Sequence, residues 1–244
     1  MKANKSIYAI IFAAMLTGCS LEQNPISDPT ELTQGVATDE QTAVLKDRQA
    51  ALDQRIHLYE LLRNRQEHWS LDMLLIGDSH SDNAYAGTTG AEVVPFETNS
   101  IDGSNTVLQR DWDRYQEDIA QSNVLVSGLR NLIEEGKVNA TEGRQWQAEG
   151  RLFRAIAMFD MARLWGSFPV VTEIAKTITS KNIEEVWPTY FPPRTTPEEC
   201  YAQIISDLEF AAANAPDFNG ADRTVLSKTV ALAMLAKVYA EKPV

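Results

Sequence analysis

Cysteine is scarce in this sequence, with two residues, Cys19 and Cys200, among 244. That excludes a disulfide framework and a multi-cysteine zinc site. Histidine is nearly as rare, with three residues. His57 and His68 stand about three helical turns apart, so they can share a face but cannot ligate one metal. Positive charge is short, since 22 Lys and Arg face 34 Asp and Glu, a net charge of −12. A nucleic-acid binder needs a basic face, and adhesion to anionic lipid needs a polybasic patch. Both are excluded, and an uncharged partner or substrate fits better. Long apolar runs are missing, the longest being the ten residues 7–16, too few to span a bilayer as a helix. The signatures HExxH, GxSxG, P-loop and GxGxxG do not occur either. A glycosidase needs two carboxylates across a cleft, but among 34 acidic residues such a pair can always be imagined. No catalytic residue and no cofactor is assigned, and the chain is not read as an enzyme. DSHSDN at 78–83 resembles a calcium loop but lacks the glycine and distal glutamate of an EF-hand, so no metal ligand is assigned.

What is present begins with an ordinary globular composition, 44% hydrophobic and 23% charged, enough for a sizeable core. The first residues read as an address. Lys2 and Lys5 precede the ten-residue apolar run, which has the size of the central region of a secretory signal. Leu16-Thr17-Gly18-Cys19 follows, resembling a bacterial lipobox, cut before a cysteine whose thiol carries a lipid. Residues 1–18 are therefore expected to be a lipoprotein signal peptide, Cys19 the lipid attachment, and 19–39, with Pro25 and Pro29, a lipidated tether. Loss of residues 1–18 removes two lysines and no acid, taking the charge from −12 to −14. Cys200, with no histidine near it in sequence, reads as a small core residue at the start of a helix.

From about residue 40 the pattern turns helical, with Leu45, Leu52, Ile56, Tyr59 and Leu62 on one stripe. Residues 70–103 break it, and GDSHSDNAYAGTTGAE at 77–92 reads as a long ordered loop of the kind that is often functional. A second helix is predicted over 106–135, striped by Leu108, Trp112, Tyr115, Ile119, Val126, Leu129 and Ile133 and stopped by Gly136. A third covers 141–165, ended by Gly166 and Pro169, and 170–172 reads as a short extended piece. Residues 174–195, which include VWPTYFPPR, are irregular. Thr196-Pro197-Glu198-Glu199 then supplies an N-cap, a first-turn proline and a capping-box glutamate. The helix it opens is faced by Tyr201, Ile204, Ile205, Leu208, Ala211 and Ala212 and closed by Pro216. Ser227 caps a last helix to about residue 241, with Ala231, Leu235, Val238 and Tyr239 inward. The fold class is mainly α, built of helix pairs joined by turns and two long loops. Small and large residues alternate at Ala155, Phe159, Ala162 and at Ala231, Leu235, Ala236, Tyr239, the packing physics of tetratricopeptide-like stacks.

The stretch 148–173, AEGRLFRAIAMFDMARLWGSFPVVTE, resembles a helix of the SusD/RagB family of outer-membrane nutrient-binding lipoproteins of Bacteroidota. The family's Ala-Glu, Arg-Phe-Leu-Arg-Ala, Tyr-Phe-Asp-Leu and Arg-Leu-Tyr-Gly, with Pro just beyond, are met by Ala148, Glu149, Arg151, Arg154, Ala155, Phe159, Asp160, Arg163, Gly166 and Pro169. Leu152 and Phe153 are swapped, Met158 stands where an aromatic is common, and Trp165 where tyrosine is. RTTPEECYAQIISDLEFAAANAP at 194–216 resembles the family's Arg-x-Pro-x-x-x-x-Tyr-x-x-Ile-x-x-Asp-Leu helix. Residues 223–239 resemble its next helix, ending Leu-Ala-Lys-Val-Tyr, and Trp112, Tyr115, Ile119 and Asn123, spaced Trp-x-x-Tyr-x-x-x-Ile-x-x-x-Asn, resemble the Trp, Tyr, Ile and Asn of an earlier family helix. The resemblance implies a lipid-anchored outer-membrane protein facing the cell exterior. It would bind a nutrient, foremost a glycan or oligosaccharide, and work with a TonB-dependent, SusC-like transporter. Contact with the membrane would run through the lipid anchor only, with no nucleic acid. Family members continue well past this point, so 40–244 is expected to be an amino-terminal, truncated part of a SusD-like helical domain. In the family the helical scaffold largely contacts the transporter, and much of the ligand surface comes from loops and the later half. The alternative is a helical-repeat scaffold that binds only a protein partner.

Within 148–173, Arg151, Arg154 and Arg163 interleave with Glu149 and Asp160, and Asp160 can pair with Arg163 three residues on. No base and nucleophile converge there, so the reading is structural ion pairing in a helical stack. A sugar site needs aromatic faces beside amides and carboxylates. Asp82, Asn83 and Tyr85 offer that mixture in the first long loop, and Trp187 and Tyr190 are the second candidate. None of these ligand-binding candidates sits in a family motif.

Overall fold

The computed structural model describes residues 45–81, 83–85, 87, 89–178 and 180–242. The signal peptide, Cys19, the tether and Asp82 lie outside the described residues. Five helices carry the described fold: α1 Arg48–Asn64, α2 Thr106–Glu134, α3 Ala140–Trp165, α4 Pro197–Asn214 and α5 Lys228–Glu241. Each packs on the next in chain order, α1 on α2, α2 on α3, α3 on α4 and α4 on α5. Sequential antiparallel neighbours of this kind form a helical stack. Among the described residues there is no strand, only an isolated bridge between Asn219 and Asp222; residues 170–172 join no sheet.

The helix ends follow local chemistry. Asp47 accepts the Ala50 N–H, Asn105 those of Val107 and Leu108, and Asn139 those of Thr141 and Glu142. Thr196 and Glu199 complete the expected capping box, which satisfies two N–H groups that have no partner inside the helix. Gly136 and Gly166 follow α2 and α3 at φ 69° and 73°, the left-handed stop that favours glycine.

The core lies in two clusters with α3 between them. Tyr115, Leu152, Met158, Phe159, Met161 and Ile204 belong to one, which joins α2, α3, α4 and α5. Ala51, Leu58, Leu61, Leu125, Leu129 and Phe153 belong to the other, under α1. Alternate faces of α3 therefore serve different clusters. A Cβ on Gly150 would lie 3.2 Å from the side chains of Leu125 and Val126, so bare backbone lets α2 and α3 approach here. Cys200 is wholly buried at the first turn of α4, where the sequence put it.

Five expectations are corrected. The buried face of α1 is Ala51, Leu58 and Leu61, one position before the apolar stripe read from sequence, and Ile56 is 45% exposed. Polar Arg55 and Tyr59 occupy the flank that the stripe gave to the core, because a buried carboxylate, Glu149, waits there. The first break begins later than residue 70, since Glu67–Ser79 is helical, wound as wide π-type turns on either side of Asp72–Leu74. Residues 174–195 hold two short turns of helix, Ile183–Val186 and Trp187–Tyr190. On α5, Tyr239 is 55% exposed rather than inward, and Ser227 occupies the N-cap position without making a capping bond.

Candidate functional site

Three buried polar knots hold the loops on this scaffold. The first is Arg154. Its Nε and Nη2 donate to the two oxygens of Asp207 at 2.8 and 2.7 Å, and its Nη1 donates to Asn123 Oδ1 at 2.6 Å and the Thr172 carbonyl at 3.1 Å. The Asn123 amide in turn donates to the Val171 carbonyl at 3.0 Å. A planar guanidinium thus ties α2, α3 and α4 to the segment after α3. The second is Glu149, gripped by Arg55 at 2.8 and 3.2 Å and by the Tyr59 hydroxyl. Tyr59 also accepts the Leu226 N–H at 3.0 Å, so α1, α3 and the chain before α5 meet in one group. Burial pushes the Glu149 carboxyl up, against the lowering effect of Arg55 and Tyr59.

The third knot pins the wide-wound segment. His68 is fully buried, its Nδ1 3.1 Å from Asp111 Oδ1 and its Nε2 3.6 Å from Asp118 Oδ2. Tyr115 and Trp69 lie edge-on to the imidazole at 4.1 and 4.8 Å. Arg65 donates to Asp118 at 2.9 Å, and Arg110 to Asp72 at 2.7 Å. Burial opposes a charged His68, but the Asp111 hydrogen bond and Asp118 outweigh it and hold its pKa above the usual histidine value. Burial lifts Asp72 to about 6, against the pull of Arg110.

α3 is therefore a packing helix whose charges act as struts. Asp160 and Arg163 pair at 3.5 Å as expected, while Glu149 and Arg154 find their partners on other elements. Among the described residues no three His, Cys, Asp or Glu side chains converge as a metal site.

The surface candidates separate clearly. Tyr85 is 74% exposed, and Asn83 is exposed with its amide on Ser81 Oγ at 2.8 Å. Trp187 is 52% exposed and faces Phe191, itself 63% exposed, with ring centroids 5.0 Å apart at 59°. Tyr190 points inward, 9% exposed, its hydroxyl donating to the Lys176 carbonyl at 2.9 Å. Two turns of helix explain the division. Ile183, Trp187 and Phe191 recur every fourth residue and face out, while Val186 and Tyr190 recur on the opposite side and face in. Thr189 Oγ1 donates to the Val186 carbonyl at 2.7 Å, and Lys176 pairs with Glu185 at 3.0 Å. Phe191 and Ile183 were missed in the sequence reading, and their four-residue spacing in IEEVWPTYF was the available signal. The structure brings Trp187 together with Phe191.

Known proteins share this fold. The SusD-like family model described as "Starch-binding associating with outer membrane" matches residues 34–240. A "SusD-like protein" of Bacteroides ovatus is 24% identical over 164 residues, 67% of this chain and 27% of its own length. A solved structure named "Laminarin binding SusD-like protein" superposes with a TM-score of 0.63 at 22% identity, over 80% of this chain and 40% of that one. "Surface glycan-binding protein A from Bacteroides fluxus" superposes at 0.63 with 21% identity, over 78% of this chain and 39% of that one. A structure titled "with xylogluco-oligosaccharide" gives 0.58 at 20% identity, over 78% of this chain and 34% of that one. The chain thus spans well under half the length of the relatives it matches.

Proposed function

The chain belongs to the SusD-like family, and from that premise we propose that it is a cell-surface lipoprotein that binds a glycan and passes it to a TonB-dependent outer-membrane transporter. Lipid on Cys19 would tether it, with 19–39 as the spacer. The names of its structural neighbours, laminarin-binding, glycan-binding and in contact with a xylogluco-oligosaccharide, support a neutral carbohydrate as the ligand. The chain's excess of acidic residues suits a neutral ligand better than an anionic one.

The observation that carries the reading is the Trp187–Phe191 pair, two half-exposed rings on a segment anchored from beneath by Val186 and Tyr190. Rings held open to water on a fixed turn present flat apolar faces to the C–H face of a pyranose at little entropic cost. In this reading Trp187 stacks on the sugar, Tyr190 holds the turn through Lys176, and Asp82, Asn83 and Tyr85 contact the glycan from the other loop. Affinity electrophoresis and calorimetry against laminarin and xyloglucan oligosaccharides test it. Trp187→Ala should weaken binding about tenfold, roughly 1.4 kcal/mol. An unchanged affinity removes Trp187 from the site, and failure of the wild type to bind any glycan in a broad panel removes glycan capture. Gentle solubilisation of the outer membrane should bring down a TonB-dependent transporter in stoichiometric amount, and the protein isolated alone would refute that partnership.

A further inference from the structure

A groove of about 610 Å³ runs between the outer flank of α1 and the turn at 222–225. That volume lies within the range of small-molecule sites, about 300–1,000 Å³. None of its lining residues belongs to the two loops discussed above. Ile56 and Leu62 on α1 and Val225 opposite supply apolar walls, and Ile56 leaves 45% of its surface in water. Tyr59 forms part of the floor.

Three features make this a built site rather than a gap between elements. First, its two walls are locked together through Tyr59, whose hydroxyl donates to Glu149 and accepts the Leu226 N–H. Burial and the Glu149 charge hold that phenol well above its ordinary pKa, so it stays a donor. Second, the rim carries hydrogen-bonding groups with spare capacity. The Arg63 guanidinium is exposed, its Nε donating to the neighbouring Asn64 Oδ1 at 3.1 Å. Asp222 uses Oδ1 for the Thr224 N–H and hydroxyl at 3.0 and 2.6 Å, which leaves Oδ2 to accept from a ligand. Glu60 lies 3.9 Å from the His57 ring. Third, the charges nearly cancel, leaving one net negative charge. Arg55 is matched by Glu149 behind the wall, and Arg63 stands among Glu60 and Asp222. An anion would meet two carboxylates against one guanidinium and is disfavoured, while Arg63 offsets much of the pull on a cation. A neutral molecule with hydroxyls on its edge and C–H groups on its face satisfies donors, acceptors and apolar walls together.

We propose that this groove is a second carbohydrate site that takes a short neutral oligosaccharide, independent of Trp187 and Phe191. The inference rests on the glycan-binding reading above. The test is calorimetry of the whole chain with laminari- and xylogluco-oligosaccharides, comparing wild type with Arg63→Ala, Asp222→Ala, Val225→Trp and Trp187→Ala. Arg63 and Asp222 are exposed, so their variants keep the fold even if the bulky Val225→Trp does not. The expected result is a stoichiometry near two that drops toward one in the groove variants and, separately, in Trp187→Ala. One site abolished by Trp187→Ala and indifferent to Arg63→Ala and Asp222→Ala overturns the groove while glycan binding stands. Absence of binding by the wild type to every oligosaccharide overturns both readings together, and the two failures are thereby told apart.

Discussion

Arg154→Met tests whether α3 is held by struts. Arg154 is 2% exposed, and Asp207 is fully buried. Methionine fills much of the same space but leaves Asp207 charged in a dry site. The remaining cation there is Arg151, whose Nη1 is 3.8 Å from Asp207 Oδ1, beyond hydrogen-bond reach. The Thr172 carbonyl and Asn123 Oδ1 also lose their donor. Removing one member of a buried pair costs about 3–5 kcal/mol, against a total stability of about 5–15 kcal/mol for a domain. At about 2–4 °C per kcal/mol for a chain of this size, Tm should fall by roughly 6–20 °C. Arg154→Met with Asp207→Leu replaces the whole pair by apolar groups, a change that is often neutral or stabilising, and should recover most of the loss. Thermal and urea unfolding followed by circular dichroism read the effect. Amide exchange at 170–173 should quicken in both variants, since both release the Thr172 carbonyl. A single variant within about 1 kcal/mol of wild type, or a double variant no more stable than the single one, would refute the claim that an uncompensated buried charge sets the cost.

His68 should make stability depend on pH. Its folded pKa lies above the unfolded value, so its contribution is complete below about 6.5 and is lost as pH rises through the folded value. Asp72, raised from 3.8 to about 6, acts in the same direction, because the folded chain binds its proton more tightly and gains as pH falls through that window. His68→Gln should flatten the slope of unfolding free energy around and above neutral pH, and an unaltered slope would show that Asp111 and Asp118 do not hold the ring's proton. Gly150→Leu should destabilise by about 1–3 kcal/mol through overpacking against Leu125 and Val126, and a neutral result would mean α2 and α3 can separate freely. Thr196→Ala should cost about 1 kcal/mol by removing the cap of α4, and an unchanged urea midpoint would show that packing alone holds that end.

Much of the chain's punctuation was legible because it is local. Whereas the caps Asn105 and Asn139 were seen only in the structure, Thr196, Gly136 and Gly166 act within a few residues of themselves, so these ends of α2, α3 and α4 can be read along the chain. The same holds for the pattern of 148–173 and for the mainly α class. The face of α1 was not legible to one residue. Ala51-Leu52 and Leu61-Leu62 offer apolar neighbours to either register, and the choice falls to Glu149, far away in sequence, which draws Arg55 and Tyr59 to its side. The winding of 67–79 was equally hidden, since its support comes from Asp111, Asp118 and Arg110 on α2. The sequence could name Trp187 and Tyr190 as aromatics of one loop but could not say which faced water.

By itself, then, the sequence determined the helical class, the stops and starts of three long helices and the family, because these depend on spacing and on hydrogen bonds within one turn. The tertiary structure decided which face of α1 is buried, that Trp187 rather than Tyr190 is presented, and that Tyr59 closes a groove against Leu226. Those outcomes depend on partners brought together from distant parts of the chain, where the cost of burying a charge or a hydroxyl without a partner exceeds any local preference.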